Sequence, residues 1–236
     1  MKRFDIFYDA VVLQLGPVPI TKTMATSMGI SLVLVVIAAI MRSAVRRRPG
    51  GLMSAASEII FESIDRLVTD VVGRRTPWLA MFAGSLFLFI AACNVAGQFP
   101  GIQPPTANLA ATSALAVVVF VTVPVAGIIS QGWGTYLKHY FQPNPLLFPL
   151  HLISEVSRTF ALSMRLFGNM MSGHLIVALL VSLAGFLVPA PLMALDLLIG
   201  LLQAYIFTLL SIVYIGAALR CDERDSTHAK TLESAR

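Results

Sequence analysis

Residues Trp78 to Gly97 read WLAMFAGSLFLFIAACNVAG, an uninterrupted run without a charged side chain. A helix rises about 1.5 Å per residue, so about 20 apolar residues span the roughly 30 Å hydrocarbon core of a bilayer. The rest of the chain has the same character, because 57% of its 236 residues are hydrophobic, only 12% are charged and the mean hydropathy is +0.81. Soluble domains carry about 25% charged residues. The composition therefore excludes a soluble globular enzyme, a disordered chain and a free nucleic-acid binder, and it indicates a polytopic membrane protein.

Similar apolar runs lie on both sides of this segment, from Met24 to Met41 and from Asn108 to Ile129. Arginines at positions 42 and 46–48 follow the first of them. By the positive-inside rule they place its end in the cytoplasm and Met1 on the opposite side. Because they follow the apolar run instead of preceding it, a cleaved signal peptide is disfavoured. We expect a non-cytoplasmic N-terminus over 1–23 and membrane helices over 24–41, 78–97 and 108–129.

The segment from Leu52 to Val72 has a different pattern. Apolar residues recur at helical spacing on one side, and the other side carries polar and charged residues: Glu58, Glu62, Asp65, Arg66, Thr69 and Asp70. This pattern predicts an amphipathic helix that lies in the membrane interface or against a partner, and a solvated surface helix is the alternative.

The last third of the chain predicts two long helices. Residues 148–187 and 192–219 are almost continuously helix-like, and Gly185, Pro189 and Pro191 mark the turn between them. A helix of about 40 residues is about 60 Å long, so the first arm must be strongly tilted or partly leave the membrane. Residues 220–236 are polar and predict a cytoplasmic tail without a visible fold. The expected fold is therefore an all-α single membrane domain with about five membrane helices and one interfacial amphipathic helix, the last two membrane helices forming a tilted hairpin.

Ionisable side chains at membrane depth are confined to this hairpin: His151, Glu155, Arg158, Arg165, His174 and Asp196. An Arg or Asp at the centre of a membrane helix costs about 2.5–3.5 kcal/mol. A cluster of such groups in one hairpin indicates a function, and a buried structural ion-pair network is the alternative.

Helical geometry divides these residues into two sets. At about 100° per residue, Arg158, Arg165 and Asn169 share one stripe, whereas His174 points to roughly the opposite side. Asp196 and Gln203 share a face of the second arm, and in an antiparallel hairpin they can meet His174 in the non-cytoplasmic half. Glu155 and His151 lie nearer the cytoplasm.

Those residue types suit a proton relay interrupted by a fixed charge. The pKa values of histidine and carboxylate groups can be brought near ambient pH, whereas arginine keeps its proton in a protein. Arg165 between two offset polar paths would block a direct leak. The pattern predicts a coupled ion-translocating device that needs a carboxylate from elsewhere.

The segment Ser154 to Leu180, SEVSRTFALSMRLFGNMMSGHLIVALL, resembles the signature segment of the membrane subunit a of F-type ATP synthases. LLQAYIFTLLSIVYI, from Leu201 to Ile215, resembles the last helix of the same family, and the resemblance extends from about Trp78 to Leu219. It implies a non-catalytic, ion-translocating stator subunit of the Fo sector, without a cofactor or metal. The implied partners are c-ring subunits, peripheral-stalk b subunits, other FoF1 subunits and the lipid of a bacterial inner membrane, with the C-terminus in the cytoplasm.

The resemblance also implies roles for individual residues. Arg165 matches the family's essential arginine, which faces the ring carboxylate, and Asn169 and Gln203 match its polar neighbours. His174 and Asp196 match the family's uptake pair, with imidazole and carboxylate exchanged between the two helices relative to many bacterial members.

On the release side the implied residues are Glu155 and His151, the latter at a position that is often acidic in the family. Asn108 stands where the family usually has Asp, which weakens its assignment to the uptake path, and Asn94 can also line that path. These amides leave a sodium-translocating version open. Two rival hypotheses from different classes are a self-contained secondary transporter and an intramembrane hydrolase that uses Ser163 or Ser172 with His174.

Overall fold

A computed structural model of the chain describes residues 11–15, 18–47, 51–99, 104–131, 148–185 and 190–234. These residues form a two-stranded hairpin and six helices: β1 (Val11–Leu15), β2 (Val18–Thr21), α1 (Lys22–Arg47), α2 (Leu52–Val72), α3 (Pro77–Gly97), α4 (Leu109–Gln131), α5 (Phe148–Ala184) and α6 (Ala190–Ser234). A short 3-10 turn, Pro105–Ala107, precedes α4.

The all-α membrane architecture predicted from the sequence is confirmed. Five of the helices contain stretches long and apolar enough to cross a membrane: Lys22–Ser43, Pro77–Gly97, Leu109–Ile129, Ile153–Leu183 and Ala190–Leu219. The small antiparallel pairing of β1 with β2, in which Val11 lies opposite Thr21 and Leu15 opposite Val18, was not predicted. It precedes α1 and leaves the helical architecture unchanged.

The expectation of an unfolded tail after residue 220 is wrong, because α6 continues through Ser234. The polar segment 220–234 contains neither proline nor glycine, so nothing in its local sequence ends the helix. The polar composition of this segment predicts a tail without a fold, but a polar composition does not by itself oppose helix formation.

The amphipathic helix α2 lies against the other helices along part of its apolar side. Val68 and Val72 are buried in one hydrophobic cluster with Leu79 of α3 and with Ile212 and Ile215 of α6. The helix ends at Gly73, whose φ of 82° is left-handed and suits glycine, with its N–H donating to the Thr69 carbonyl oxygen at 2.8 Å. This amphipathic helix is therefore anchored to the bundle.

Two ion pairs lie on the charged side of α2. Arg66 and Glu62 are 2.7 Å apart on its exposed surface, and Asp65 reaches Arg75, just before α3, at 3.2 Å. The second pair helps to fix the turn between α2 and α3.

The centre of the bundle is the antiparallel pair α3 and α6, with α4 and α5 packed beside it. A second hydrophobic cluster joins the four helices through buried residues: Leu86, Ile90, Val119, Leu162, Leu166, Met170, Ala204 and Phe207. Helix α1 is peripheral, since no residue of its most apolar stretch is buried. Many large apolar side chains face outward, among them Leu32, Ile129 and Leu183, as expected for a surface in contact with lipid.

Candidate ion-translocation site

Arg165 stands beside the buried stripe of α5. That stripe consists of Leu162, Leu166 and Met170, which point into the bundle. Arg165 is exposed, and it forms no hydrogen bond or ion pair with any residue that the structure describes. Its guanidinium is therefore presented at the surface of the hairpin, available to a group outside this chain.

Asn169 and Gln203 lie near the same level of the hairpin but in different surroundings. Asn169 is half-buried, one turn after Arg165, and its backbone carbonyl accepts a hydrogen bond from the Ser172 hydroxyl at 3.0 Å. Gln203 of α6 is only 6% exposed, and its Nε2 has no hydrogen-bond partner within the described part of the chain. A buried, unpaired amide donor points to an occupant that the single chain does not supply.

His174 and Asp196 lie near each other across the hairpin, because Asp196 lies against Gly173, the residue directly before His174. The Asp196 carboxylate lies against the backbone of Gly173, where a Cβ added to the glycine would come within 2.7 Å of Asp196 Cγ. His174 Nε2 lies against Gly97 at the end of α3, 3.1 Å from the position of a Cβ there, and is buried without a hydrogen-bond partner among the described residues. Two helices of the hairpin and the end of α3 therefore converge on these side chains.

Gln98 also belongs to this group, which we call the uptake cluster: Gly97, Gln98, Gly173, His174 and Asp196. The Gln98 Nε2 donates to Asp196 Oδ2 at 3.3 Å. Gln98 is not among the residues predicted from the sequence, where it is marked only as a polar residue one turn after Asn94 at the end of an apolar helix. Gln203 lies about 10 Å farther along α6 than Asp196, so it is separate from this cluster.

Asn94 fixes the contact between α3 and α6 one turn deeper. It is 3% exposed, and its Nδ2 donates to the backbone carbonyl of Gly200 at 2.6 Å. A Cβ at Gly200 would lie 3.0 Å from that nitrogen, so the glycine allows the two helices to approach. The Oδ1 of Asn94 is buried and has no partner in the described structure, which leaves one acceptor facing the interior.

Asn108 has a different environment from the uptake cluster. It precedes α4, and its Oδ1 accepts a hydrogen bond from the Ala110 N–H at 2.9 Å, as in a helix cap. Its Nδ2 donates to the Thr23 hydroxyl of α1 at 3.1 Å. Asn108 therefore has a structural role, because these hydrogen bonds join α1 to the start of α4.

At the other end of the hairpin, Glu155, Arg158 and Thr159 line a small crevice between α4, α5 and α6. The Arg158 guanidinium lies over the ring of Tyr214, with its central carbon 4.4 Å from the ring centroid. Tyr214 therefore holds the Arg158 side chain by a cation–π contact. The side chain of His151 lies outside the described part of the structure.

Ser163 is buried, and its hydroxyl donates to Thr112 Oγ1 of α4 at 3.4 Å. Since α5 is continuous from Phe148 to Ala184, Ser163 and His174 are about 16 Å apart along its axis. The hydrolase pairing of these residues is therefore excluded by geometry. Among the described residues there is also no group of three or more His, Cys, Asp or Glu side chains arranged to hold a metal ion.

Comparison with known proteins matches residues 23–216 to the family model described as ATP synthase A chain. The chain is similar to "ATP synthase subunit a 1" of Chlorobium luteolum, with 42% identity over 216 residues that cover 90% of this chain and 96% of the relative. It is 38% identical to "ATP synthase subunit a 2" of Bradyrhizobium sp. over 211 residues, 89% of this chain and 94% of the relative. With "ATP synthase subunit a" of Albidiferax ferrireducens it shares 48% identity over 164 residues, 69% of this chain and 71% of the relative.

Proposed function

This chain belongs to the ATP synthase A chain family, and on that premise we propose that it passes protons through two offset half-channels to and from the carboxylates of a c-ring. Membership of this family supports the role of an ion-translocating stator subunit of the Fo sector, a non-catalytic component of the complex. The observation that carries the proposal of two half-channels is the exposed guanidinium of Arg165, which has no ion-pair partner among the described residues.

A lone arginine in a membrane-spanning helix is unfavourable by about 2.5–3.5 kcal/mol. Its charge is compensated when a carboxylate of another subunit is brought up to it. The same contact favours the ionised form of that carboxylate, so a proton is released as the ring carboxylate meets Arg165. Because the guanidinium itself does not give up a proton, it separates the two half-channels electrically.

The uptake path runs through the uptake cluster toward Gln203, with Asn94 beside it. His174 and Asp196 supply exchangeable protons, and the buried Gln203 amide lies about 10 Å farther along α6 than Asp196, near the level of Arg165. Asn169 flanks that level on α5. On the release side, Glu155 lines the crevice beside Arg158, and His151 is one turn closer to the start of α5.

Each elementary charge that crosses 100 mV supplies about 2.3 kcal/mol. Several ions must therefore be pooled for each ATP, and a multi-site ring is the device that does so. The partners that we propose are c-ring subunits, peripheral-stalk b subunits and other subunits of the FoF1 complex, in a bacterial inner membrane. The N-terminus is then non-cytoplasmic and the C-terminus cytoplasmic, as the arginines after the first apolar run indicate.

A sodium-translocating version is the second candidate, because the buried Asn94 Oδ1 has no hydrogen-bond partner among the described residues and is an acceptor of the kind that ligates cations. The two versions differ in their response to sodium. In sodium-free buffer, reconstituted complex should acidify vesicles at an unchanged rate if protons are the cargo, and pumping should stop if sodium is the cargo.

Replacement of Arg165 by alanine tests the proposal directly. We expect ATP-driven ion uptake into vesicles reconstituted with the Arg165→Ala complex to fall below detection. Arg66→Ala is the matched control, because Arg66 is an exposed arginine of α2 whose surface ion pair contributes little. Near-wild-type uptake by the Arg165 variant would show that the central assignment is wrong.

A further inference from the structure

Gln98 contacts the uptake cluster from a helix outside the hairpin. We propose that Gln98 is a positioning residue, whose side-chain amide holds the Asp196 carboxylate in place beside His174 during ion uptake. The proposal rests on the function proposed above, and it assigns to the end of α3 a direct part in the uptake path.

The backbone of Gln98 is held in the last turn of α3. Helix α3 ends at Gly97, and the Gln98 N–H donates to the Val95 carbonyl at 3.1 Å. Its side chain is half-buried and reaches across to α6, where Nε2 donates to Asp196 Oδ2 at 3.3 Å. The hydrogen bond thus starts from a fixed helix end and joins residues 98 positions apart in sequence.

The buried bond from Asn94 to the Gly200 carbonyl sets the register of this contact. Asn94 is four residues before Gln98, and Gly200 is four residues after Asp196. In an antiparallel helix pair, one contact repeats about one turn later on the same side, so fixing Asn94 opposite Gly200 brings Gln98 opposite Asp196. The 2.6 Å bond is out of water, which makes that register costly to change.

The carboxylate is enclosed from two sides. On α5, the backbone of Gly173 lies against Asp196, with Oδ1 the closest atom. From α3, Gln98 binds the other oxygen, Oδ2. His174 follows Gly173 directly, and its Nε2 lies against Gly97, the residue just before Gln98. The pair Gly97–Gln98 therefore touches both members of the imidazole–carboxylate pair.

An amide is chemically suited to this task. It does not titrate in the physiological range, so it donates a hydrogen bond to Asp196 in both protonation states of the neighbouring histidine. Because Gln98 binds one carboxylate oxygen, the other stays oriented toward α5, where it lies against Gly173, the residue directly before His174. His174 is the titratable group that faces Asp196 from α5, and the described end of α3 contributes the neutral Gln98 alone.

Two substitutions of Gln98 distinguish the effect of its hydrogen-bond donor from the effect of its side-chain shape. Gln98→Met keeps the length and removes the amide, whereas Gln98→Glu keeps the shape, removes the donor and adds a negative charge. We expect ATP-driven uptake per assembled complex to fall about tenfold with Gln98→Met, the effect of about 1.4 kcal/mol, and further with Gln98→Glu. Phe99→Leu, at the exposed next position, is the matched control and should stay within twofold of wild type.

Combination with Asp196→Asn tests whether Gln98 acts through the carboxylate. In that background Gln98→Met should lower uptake by less than twofold, because the carboxylate it positions is gone. Gln98→Glu combined with Asp196→Asn moves the carboxylate across the same hydrogen bond and should regain most of the uptake that Asp196→Asn loses. Recovery of this kind is not expected from a residue that only fills space.

The proposal is overturned if Gln98→Met and Gln98→Glu pump like wild type while Asp196→Asn is impaired, or if the losses from Gln98→Met and Asp196→Asn are additive. If the proposed function itself is wrong, the result is different, because the Arg165→Ala complex would then still take up ions. Uptake is normalised to the amount of complex in the membrane, measured by immunoblot, so a variant that assembles poorly is still judged by its turnover.

Discussion

Gly173→Ala introduces one methyl group at a tight contact between α5 and α6. A Cβ at this position would lie 2.7 Å from Asp196 Cγ, with Oδ1 closer still. Non-bonded carbon atoms prefer about 3.5–4.0 Å, so the carboxylate or the two helices must move by about 1 Å. The Asp196 side chain is the part that yields most easily, because it can rotate away from α5.

Two opposing effects set the stability change. Overpacking of a tight contact destabilises by about 1–3 kcal/mol, whereas alanine in a helix interior is favoured over glycine by about 1 kcal/mol. The net destabilisation should therefore be about 0–2 kcal/mol, and the complex should still assemble. The Gln98–Asp196 hydrogen bond is already 3.3 Å long, so a displacement of about 1 Å breaks it. A misplacement of that size in a reacting site can slow the reaction about 100-fold.

We therefore expect Gly173→Ala to lower ATP-driven uptake about 10- to 100-fold while the amount of assembled complex falls by much less. Gly29→Ala in α1 is the control, because nothing lies within 4 Å of a Cβ there. Addition of Asp196→Ala removes the overlap and should restore thermal stability to the level of Asp196→Ala alone, without restoring uptake. Wild-type uptake and stability of Gly173→Ala would refute the placement of the carboxylate against α5.

Substitutions at three further positions test the hydrogen bonds and the ring contact that surround the path. Asn94→Ala removes the donor to the Gly200 carbonyl and should destabilise the complex by about 1–3 kcal/mol, measured as a lower midpoint of thermal unfolding in detergent. Asn108→Ala should lose about 1 kcal/mol through the missing helix cap, and its uptake per assembled complex should match wild type; a specific loss of uptake would assign it to the path after all. Tyr214→Phe should keep the contact with Arg158, whereas Tyr214→Leu should cost about 0.5–1 kcal/mol, and equal stability of the two variants would argue against a cation–π role.

Much of the architecture follows from local pattern. The apolar runs predicted both ends of α3 and α4 and the start of α1 to within two residues, whereas α1 continues to Arg47 instead of ending at residue 41. The helical spacing of apolar residues predicted α2 with the bounds that the structure has. The prediction of a tail without a fold after residue 220 is wrong, because a polar segment can still form a helix, and α6 continues through Ser234. The β1–β2 pairing was missed because it depends on contact between two short segments.

For the candidate site, residue type carried most of the information. A charged side chain in a membrane helix stands out against an apolar background, so Arg165, His174 and Asp196 could be found without a structure. Gln98 could not, because an uncharged amide at a helix end has many ordinary uses. Only the register between α3 and α6 shows that this amide meets a carboxylate.

The sequence by itself determined that the chain has the character of a membrane protein, which segments are long and apolar enough to span a bilayer, and which side chains can exchange or hold charge. Hydrocarbon thickness and the energy of charge in lipid act on short stretches of sequence, so these properties can be read locally. The tertiary structure decided which groups meet: the Asp196 carboxylate between Gly173 and Gln98, Asn108 in a helix cap, and Arg158 over Tyr214. Those contacts depend on the register and close approach of helices far apart in the chain, which packing of the whole bundle sets and no local pattern encodes.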